Sequence, residues 1–193
     1  FQEKGYCKRG GRVALLCRNH LDLALLLPAL SRLGIGAYLL NTDMSEEQLV
    51  RFLVGRKYDL LILDEEFRQR YFSDKEPPTP LLTTEELGRV RSEDDGRSRR
   101  FLPRIVRGAE LSVLTGGSSG SYKSADRRPS AINFLPPLLA LIRSIGIHRG
   151  STTYLSLPLF HGFGLATLFV AWVMGKRVWL PRRFRAEEAL EGI

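Results

Sequence analysis

The sequence predicts an α/β protein, with a parallel sheet and helices on both of its faces. Short apolar runs alternate with segments of helical pattern over most of the 193 residues, as expected of strands joined by helical crossovers. Residues 12–17 (RVALLC) form a continuous apolar run, which is typical of a strand buried on both faces. Hydrophobic residues make up 44% of the chain, enough for a buried core.

The first two predicted strands lie on either side of a helix. Asn19 is the candidate cap of this helix, which covers residues 21–33 and stops at Gly34, a residue typical of helix C-termini. The second strand is predicted at residues 37–41 (AYLLN).

A second helix begins with a capping box. Ser45 is the expected N-cap, and Gln48 completes the box three residues later. The third strand is predicted at residues 59–64 (DLLILD), followed by a short charged helix.

Residues 73–107 interrupt this alternation. They are rich in proline and in charges of both signs, which predicts a surface connection that can carry a strand near residues 80–83. We therefore expect a single incomplete α/β domain over residues 1–193, with a first βαβ part at 1–72, this connection, and a second α/β part at 108–193.

The alternation resumes in the second part. A strand is predicted just before residue 115 and a helix at residues 129–145, which must begin late or kink because it contains two prolines. The remaining elements are a strand at 152–160, a helix at 162–174, a strand at 177–180 and the start of a helix at 186.

The formal net charge is +8. This charge suits an acidic partner such as a nucleotide, an anionic membrane or a nucleic acid, but a fragment separated from acidic sequence would also carry it. The second explanation is favoured because the basic residues are scattered, with no interleaved aromatic stripe. The densest basic group is interpreted as a solvated strand end: Lys176, Arg177, Arg182, Arg183 and Arg185.

Cysteine content and apolar run length bear on the compartment. Cys7 and Cys17 are too few for a disulfide framework, which favours a reducing compartment. The apolar stretches are shorter than the about 20 residues of a membrane span, and no signal-peptide pattern opens the chain. We expect a cytoplasmic protein, and the first residue, Phe1, suggests a fragment of a longer one.

Residues 114–125 (LTGGSSGSYKSA) combine three glycines, several hydroxyls and Lys123 directly after a predicted strand. Glycines let backbone N–H groups approach an anion, while hydroxyls and a lysine add donors and charge. Open α/β sheets bind ligands at this end of their strands. The loop matches neither a P-loop nor a dinucleotide fingerprint. Its composition alone also suits a flexible linker.

The loop resembles the signature Thr-Ser-Gly-Thr-Thr-Gly-x-Pro-Lys-Gly of the AMP-forming adenylate synthetases, which include acyl-CoA synthetases, firefly luciferase and peptide-synthetase adenylation domains. Residues 158–164 (PLFHGFG) match a second signature of that family, Pro-Leu-Phe-His-x-x-Gly, without a departure. Residues 11–49 resemble its first βαβ segment. The resemblance covers nearly the whole chain and implies part of the large N-terminal domain of such an enzyme.

The resemblance implies roles for the matching residues. His161 would lie beside the acyl carboxylate and the adenylate, and without the resemblance it would be interpreted as a buried core histidine. Phe160, Phe163 and Gly164 would shape the pocket for the acyl group. No residue of the chain is assigned to a metal. The loop residues would bind the β- and γ-phosphates of ATP and stabilise the departing pyrophosphate, with Lys123 in a catalytic role: Thr115, Gly116, Gly117, Ser118, Ser119, Gly120 and Lys123.

The loop departs from the family pattern at five positions. Gly116 replaces a serine or threonine, Ser118 and Ser119 replace threonines, Tyr122 replaces proline, and Ser124 replaces glycine. One hydroxyl and the χ1 stiffness of threonine are lost. We therefore expect a more mobile loop with lower phosphate affinity or turnover.

The function implied is that of an AMP-forming fatty acid–CoA ligase. ATP and a carboxylate would give an acyl-adenylate and pyrophosphate, and coenzyme A would then give the thioester. ATP, Mg²⁺ and coenzyme A are the expected cofactors, and a small-molecule carboxylic acid is the expected substrate. The family's adenine-binding motifs, its glutamate for Mg²⁺ and its small C-terminal domain lie beyond this chain, so the chain alone is expected to be inactive.

Two alternatives stay open. The altered loop is compatible with a non-catalytic relative that binds a nucleotide or an acyl ligand. The +8 charge is compatible with a basic α/β module that binds nucleic acid or anionic membrane and loses affinity steeply with salt. This last alternative is the least favoured, so we expect no specific nucleic-acid partner, while peripheral membrane contact and the oligomeric state stay open.

Overall fold

The computed structural model describes residues 7–93, 110–113, 143–144 and 150–191. The chain divides into two compact units, Phe1–Leu114 and Thr115–Ile193. The first unit contains a five-stranded sheet and the second a two-stranded sheet, and every strand pairing in both is parallel. The predicted α/β class with parallel sheets is confirmed, whereas the single incomplete domain stays a prediction.

The five-stranded sheet is centred on the first predicted strand. The strand order is β4-β3-β1-β2-β5. The bounds are β1 (Arg12–Leu16), β2 (Gly36–Leu39), β3 (Leu60–Leu63), β4 (Leu81–Thr83) and β5 (Leu111–Val113). Strand β5, which the sequence division assigns to the second part, pairs with β2 of the first.

The two central strands are buried because they carry apolar side chains on both faces. Val13, Ala14, Leu15 and Leu16 of β1 have no exposed surface, and all four residues of β3 are buried. Continuous apolar runs therefore mark strands covered by helices on both sides of a parallel sheet.

Helix α1 (Leu21–Leu33) begins one residue later than a cap at Asn19 would require. His20 is the N-cap: its backbone is extended, and its Nδ1 accepts a hydrogen bond of 3.2 Å from the backbone N–H of Leu23. The expected cap at Asn19 was wrong, because Asn19 precedes the capping position. The predicted stop is confirmed, since Gly34 adopts a left-handed conformation with φ of 70°.

Helix α2 (Glu46–Arg56) has the predicted capping box, with Ser45 and Gln48 bonded reciprocally. Helix α3 (Glu65–Phe72) is the short charged helix expected after β3.

Residues 73–107 contain more regular structure than expected. Strand β4 is followed at once by helix α4 (Thr84–Glu93). Thr83 and Glu86 exchange hydrogen bonds of 2.8 and 3.2 Å between side chain and backbone N–H, which is a second capping box. The mixed charges concealed this helix in the sequence, although its Thr-x-x-Glu signal is present.

The second unit contains β6 (Thr152–Tyr154), α5 (Gly162–Val173), β7 (Arg177–Trp179) and α6 (Ala186–Glu191). Strand β6 is shorter than predicted, since its pairing with β7 ends at Tyr154. A turn follows in which the carbonyl of Pro158 accepts a hydrogen bond of 3.0 Å from the N–H of His161. The predicted helix at 162–174 and strand at 177–180 are confirmed. The helix predicted at 129–145 lies almost entirely outside the described residues.

The basic group beside β7 is mostly solvated; Lys176 is half-buried, and its Nζ donates to the carbonyl oxygen of Gly150. Arg177, Arg182, Arg183 and Arg185 are exposed, and Arg185 pairs with Glu188 at 3.1 Å. This agrees with its interpretation as a solvated strand end. Among the residues that the structure describes, no helix combines the length and the apolar character of a membrane span.

Candidate functional site

The first candidate site lies at the carboxyl edge of the five-stranded sheet. Strand β1 has β2 on one side and β3 on the other, so the chain leaves neighbouring strands toward opposite sides of the sheet. Open α/β sheets bind ligands in the crevice that forms at such a switch point. Three polar segments meet here, because Cys17–His20 follows β1, Asp64 follows β3 and Thr84 follows β4.

Asp64 is the centre of this cluster and has no exposed surface. Its Oδ2 accepts a hydrogen bond of 2.9 Å from the backbone N–H of Arg18. Its Oδ1 lies 2.8 Å from Nε2 of His20 and accepts a bond of 3.0 Å from the hydroxyl of Thr84. Burial raises the pKa of this carboxyl, but the hydrogen bonds from His20, Arg18 and Thr84 outweigh burial and lower the pKa to about 2.

The ring of His20 connects the cluster to the start of α1. Nδ1 accepts the N–H of Leu23, so the proton of the neutral ring is assigned to Nε2, which donates to Asp64. The carboxylate of Asp22 lies 4.0 Å from Nδ1. The His20 side chain is 15% exposed, so this ring forms the solvent side of the cluster.

Cys17 completes the cluster from the end of β1. Its buried thiol contacts the carbonyl oxygen of Ile62 at 3.7 Å. The ligand atoms of Cys17, His20 and Asp64 all lie within 4.8 Å of one another. They do not form a nucleophilic triad, because both ring nitrogens of His20 are engaged and neither can accept the thiol proton.

An ion pair borders the cluster. The Nε atom of Arg18 lies 2.9 Å from Oε1 of Glu66, and its guanidinium lies 5.2 Å from the centre of the Phe67 ring. Sequence reasoning missed this whole group of residues. The available signal was the position of polar residues directly after two strands that were themselves predicted correctly.

The second candidate site is the turn that precedes α5, where the Pro-Leu-Phe-His-x-x-Gly signature lies. Phe160 is buried and 4% exposed, and its ring centre lies 4.6 Å from that of His161. His161 is the N-cap of α5, and its side chain makes no capping hydrogen bond. His161 is exposed, so it is not the buried core histidine that the sequence would suggest without the family resemblance.

The packing around Gly164 explains why the signature has a glycine at this position. A Cβ atom at this position would overlap the carbonyl group of Pro158 and lie 3.1 Å from the carbonyl oxygen of Leu157. The absence of a side chain thus lets the first turn of α5 pack onto the residues before His161. Phe163, in contrast, is 60% exposed, so the structure brings Phe160 and Gly164 into the body of this unit and leaves His161 and Phe163 at its surface.

The glycine-rich loop lies outside the described residues. The positions of Thr115, Gly116, Gly117, Ser118, Ser119, Gly120 and Lys123 therefore stay sequence predictions, as does their role toward ATP.

Curated proteins of similar sequence are CoA ligases. The 2-succinylbenzoate–CoA ligase of Bacillus velezensis is 25% identical over 191 residues, which cover 97% of this chain and 37% of that protein. The enzyme of the same name from Bacillus subtilis strain 168 is 26% identical over 186 residues and is covered to the same extent. The chain thus spans little more than a third of the relatives it matches. No protein-family model matches it.

Solved structures of similar fold include two that are named as CoA ligases or synthetases. The O-succinylbenzoate coenzyme A synthetase of Bacillus subtilis, in complex with ATP and magnesium ion, has a TM-score of 0.72 at 21% identity; all of this chain and 50% of that chain are covered. A long-chain-fatty-acid–CoA ligase from Archaeoglobus fulgidus has a TM-score of 0.76 at 18% identity, covering 39% of that chain. At these identities the likeness establishes the fold.

Proposed function

We propose, on the premise that this chain belongs to the AMP-forming adenylate synthetase superfamily, that it is part of a ligase that joins a carboxylic acid to coenzyme A through an acyl-adenylate. The alignment of 97% of the chain with a CoA ligase carries this proposal. The full match of residues 158–164 to the family's second signature supports it independently.

The glycine-rich loop supplies the chemistry that pyrophosphate release needs. Its backbone N–H groups, hydroxyls and Lys123 are the donors that bind phosphate oxygens and stabilise negative charge on a leaving group. One structural neighbour was solved with ATP and magnesium ion. We propose that this protein also uses ATP and Mg²⁺, and that Mg²⁺ would neutralise part of the phosphate charge.

The turn before α5 supplies a positioned imidazole. The backbone of His161 is held by its N–H bond to Pro158 and by the bond of 3.0 Å from the N–H of Leu165 to its carbonyl. Its exposed ring lies at the amino end of a twelve-residue helix, where the helix dipole favours a negative charge. His161 therefore binds and orients the carboxylate, and its ring contacts the buried Phe160.

The substrate is proposed as a carboxylic acid with an apolar body. The resemblance of the sequence to acyl-CoA synthetases favours a fatty acid, and one structural neighbour is a long-chain-fatty-acid–CoA ligase. The relatives in sequence are named for 2-succinylbenzoate, an aromatic acid. Exposed Phe163, Phe169 and Trp172 on α5 suit contact with an alkyl chain or with an aromatic ring.

The test uses the full-length gene product with ATP, Mg²⁺, coenzyme A and a panel of acids, which contains 2-succinylbenzoate, simpler aryl acids and fatty acids of increasing length. We expect AMP and one class of CoA thioester, both detected by mass spectrometry. Lys123→Ala is expected to abolish most of the product, and the matched control Lys75→Ala, at an exposed lysine in the bend after α3, is expected to leave it unchanged.

Formation of a thioester with aryl acids alone would correct the fatty acid prediction without affecting the proposed reaction. Formation of no AMP with any acid, together with measurable ATP binding, would favour the non-catalytic relative. A cytoplasmic location is proposed with the function, supported by two buried cysteines that are not in a disulfide.

A further inference from the structure

We propose that Cys17, His20 and Asp64 form a zinc site at the switch point of the five-stranded sheet, with water as the fourth ligand. This inference does not depend on the proposed ligase activity. The site lies in the first unit, apart from the glycine-rich loop and the turn before α5 in sequence, and it uses none of their residues.

The ligand set favours zinc. A thiolate sulfur, an imidazole nitrogen and a carboxylate oxygen are all zinc ligands, and three protein ligands plus water form a common tetrahedral arrangement. Magnesium and calcium prefer oxygen ligands alone, so the thiol of Cys17 selects against both.

The distances require only small movements. In a tetrahedral site with ordinary Zn–S, Zn–N and Zn–O bonds, neighbouring ligand atoms are about 3.4–3.6 Å apart. Nε2 of His20 and Oδ1 of Asp64 are now 2.8 Å apart, and no pair of ligand atoms within the cluster exceeds 4.8 Å. Side-chain rotations that move the ligand atoms by about 1 Å can therefore produce the tetrahedral spacing.

The proton inventory of the cluster is compatible with a bound cation. Zinc on Nε2 displaces the proton that Nε2 shares with Asp64, and this proton moves to Nδ1. Nδ1 then gives up the N–H of Leu23 and donates to the carboxylate of Asp22, 4.0 Å away. Such a carboxylate behind a metal-binding histidine is a common arrangement. The thiol of Cys17 loses its proton to solvent.

The charges of the cluster also balance. One thiolate and one carboxylate neutralise a divalent cation, which avoids the cost of burying net charge beside the core. The neighbouring Arg18 is already paired with Glu66. The ion reaches the site from the side of His20, because Cys17 and Asp64 are 3% and 0% exposed.

The test is titration of the untagged full-length gene product, without nucleotide, first with Co²⁺ as a spectroscopic probe and then with Zn²⁺ in competition. We expect one equivalent of Co²⁺ to give a thiolate-to-metal charge-transfer band, which Zn²⁺ removes. Zn²⁺ is also expected to raise the melting temperature in proportion to the logarithm of its concentration.

Variants then identify the ligands. Cys17→Ser is expected to abolish the thiolate band, whereas Cys7→Ser, at the other buried free cysteine, retains it. His20→Asn keeps a capping side chain for α1 and is expected to cost less stability than His20→Ala, and it is expected to lower Zn²⁺ affinity at least tenfold. Absence of the band in the parent chain, or a band that persists in Cys17→Ser, would overturn the proposal.

Discussion

Gly164 packs directly against the carbonyl group of Pro158, at the turn that carries the His161 signature. The contact leaves no space for a Cβ atom, because the carbonyl oxygen of Leu157 is also only 3.1 Å from where that atom would lie. The glycine of the signature is therefore required by packing, and it holds the start of α5 against the residues that precede His161.

Gly164→Ala is expected to destabilise the protein by about 1–3 kcal/mol, as other overpacking substitutions do. Backbone must shift to accommodate the new methyl group, since the atoms it meets are carbonyl atoms. Urea unfolding measures the effect. Gly162→Ala is the matched control, because nothing lies within 4 Å of a Cβ at that position. Equal stabilities of the two variants would contradict the packing argument.

Stability is expected to depend on the ionisation of Asp64. Its pKa is lowered to about 2 in the folded protein, below the value of about 3.9 in an unfolded chain. The ionised carboxylate therefore contributes stability that is complete above about pH 4 and is lost as the pH falls through about 2, amounting to about 2 kcal/mol.

Unfolding measured between pH 6 and 2 tests this dependence. Asp64→Asn is expected to flatten the curve between pH 4 and 2, whereas Asp74→Asn, at an exposed aspartate, leaves it unchanged. If Asp64→Asn and the parent chain lost stability in parallel, the buried hydrogen bonds would not be the cause.

His20 is expected to stabilise α1 as well as the carboxylate. His20→Ala removes the acceptor for the N–H of Leu23 and a donor to buried Asp64, and the expected loss is about 2–4 kcal/mol from the two effects together. His20→Asn restores the cap and is expected to recover about 1 kcal/mol of this loss. Thermal unfolding compares them, and equal melting temperatures for the two variants would exclude a capping role.

Two tyrosines, Tyr38 and Tyr58, provide a matched pair. They lie near Arg12 at the amino ends of the strands of the five-stranded sheet, whereas Asp64 lies at the carboxyl ends. The hydroxyl of Tyr38 donates to Glu110 at 2.6 Å and accepts from Nε of Arg12 at 3.2 Å. The hydroxyl of Tyr58 is buried and has no hydrogen-bond partner among the described residues. Removing a paired buried hydroxyl costs more than removing an unpaired one.

Tyr38→Phe is therefore expected to destabilise the first unit by about 1–2 kcal/mol, and Tyr58→Phe to be neutral or slightly stabilising. Guanidinium unfolding of both variants measures the difference. A larger loss for Tyr58→Phe than for Tyr38→Phe would contradict these hydrogen-bond assignments.

The parallel sheet was predictable because its central strands are buried on both faces, which leaves a continuous apolar run in the sequence. Gly34 and the Ser45–Gln48 box were predictable because capping depends on local backbone geometry. The prediction of a cap at Asn19 was wrong because the choice between adjacent polar residues depends on where the helix begins. In this protein that choice is coupled to a distant partner of His20, namely Asp64.

The candidate sites were predictable only in part. The turn at His161 follows from a contiguous motif, and its residues lie together at the start of α5. The Cys17–His20–Asp64 cluster could not be found from spacing, because 44 residues separate His20 from Asp64. Only the strand order β3-β1-β2 brings the ends of β1 and β3 side by side, and that order is a property of the folded sheet.

The most direct test of the proposed function is carboxylate-dependent exchange of labelled pyrophosphate into ATP by the full-length gene product. We predict exchange with one class of apolar carboxylic acid, reduced about 100-fold or more by Lys123→Ala, as when a charge-stabilising donor is removed from other enzymes. His161→Ala is expected to weaken binding of the acid, so that exchange responds less strongly to added acid. Binding of ATP without exchange for any acid would contradict the proposal and would identify a relative that holds the nucleotide without cleaving it.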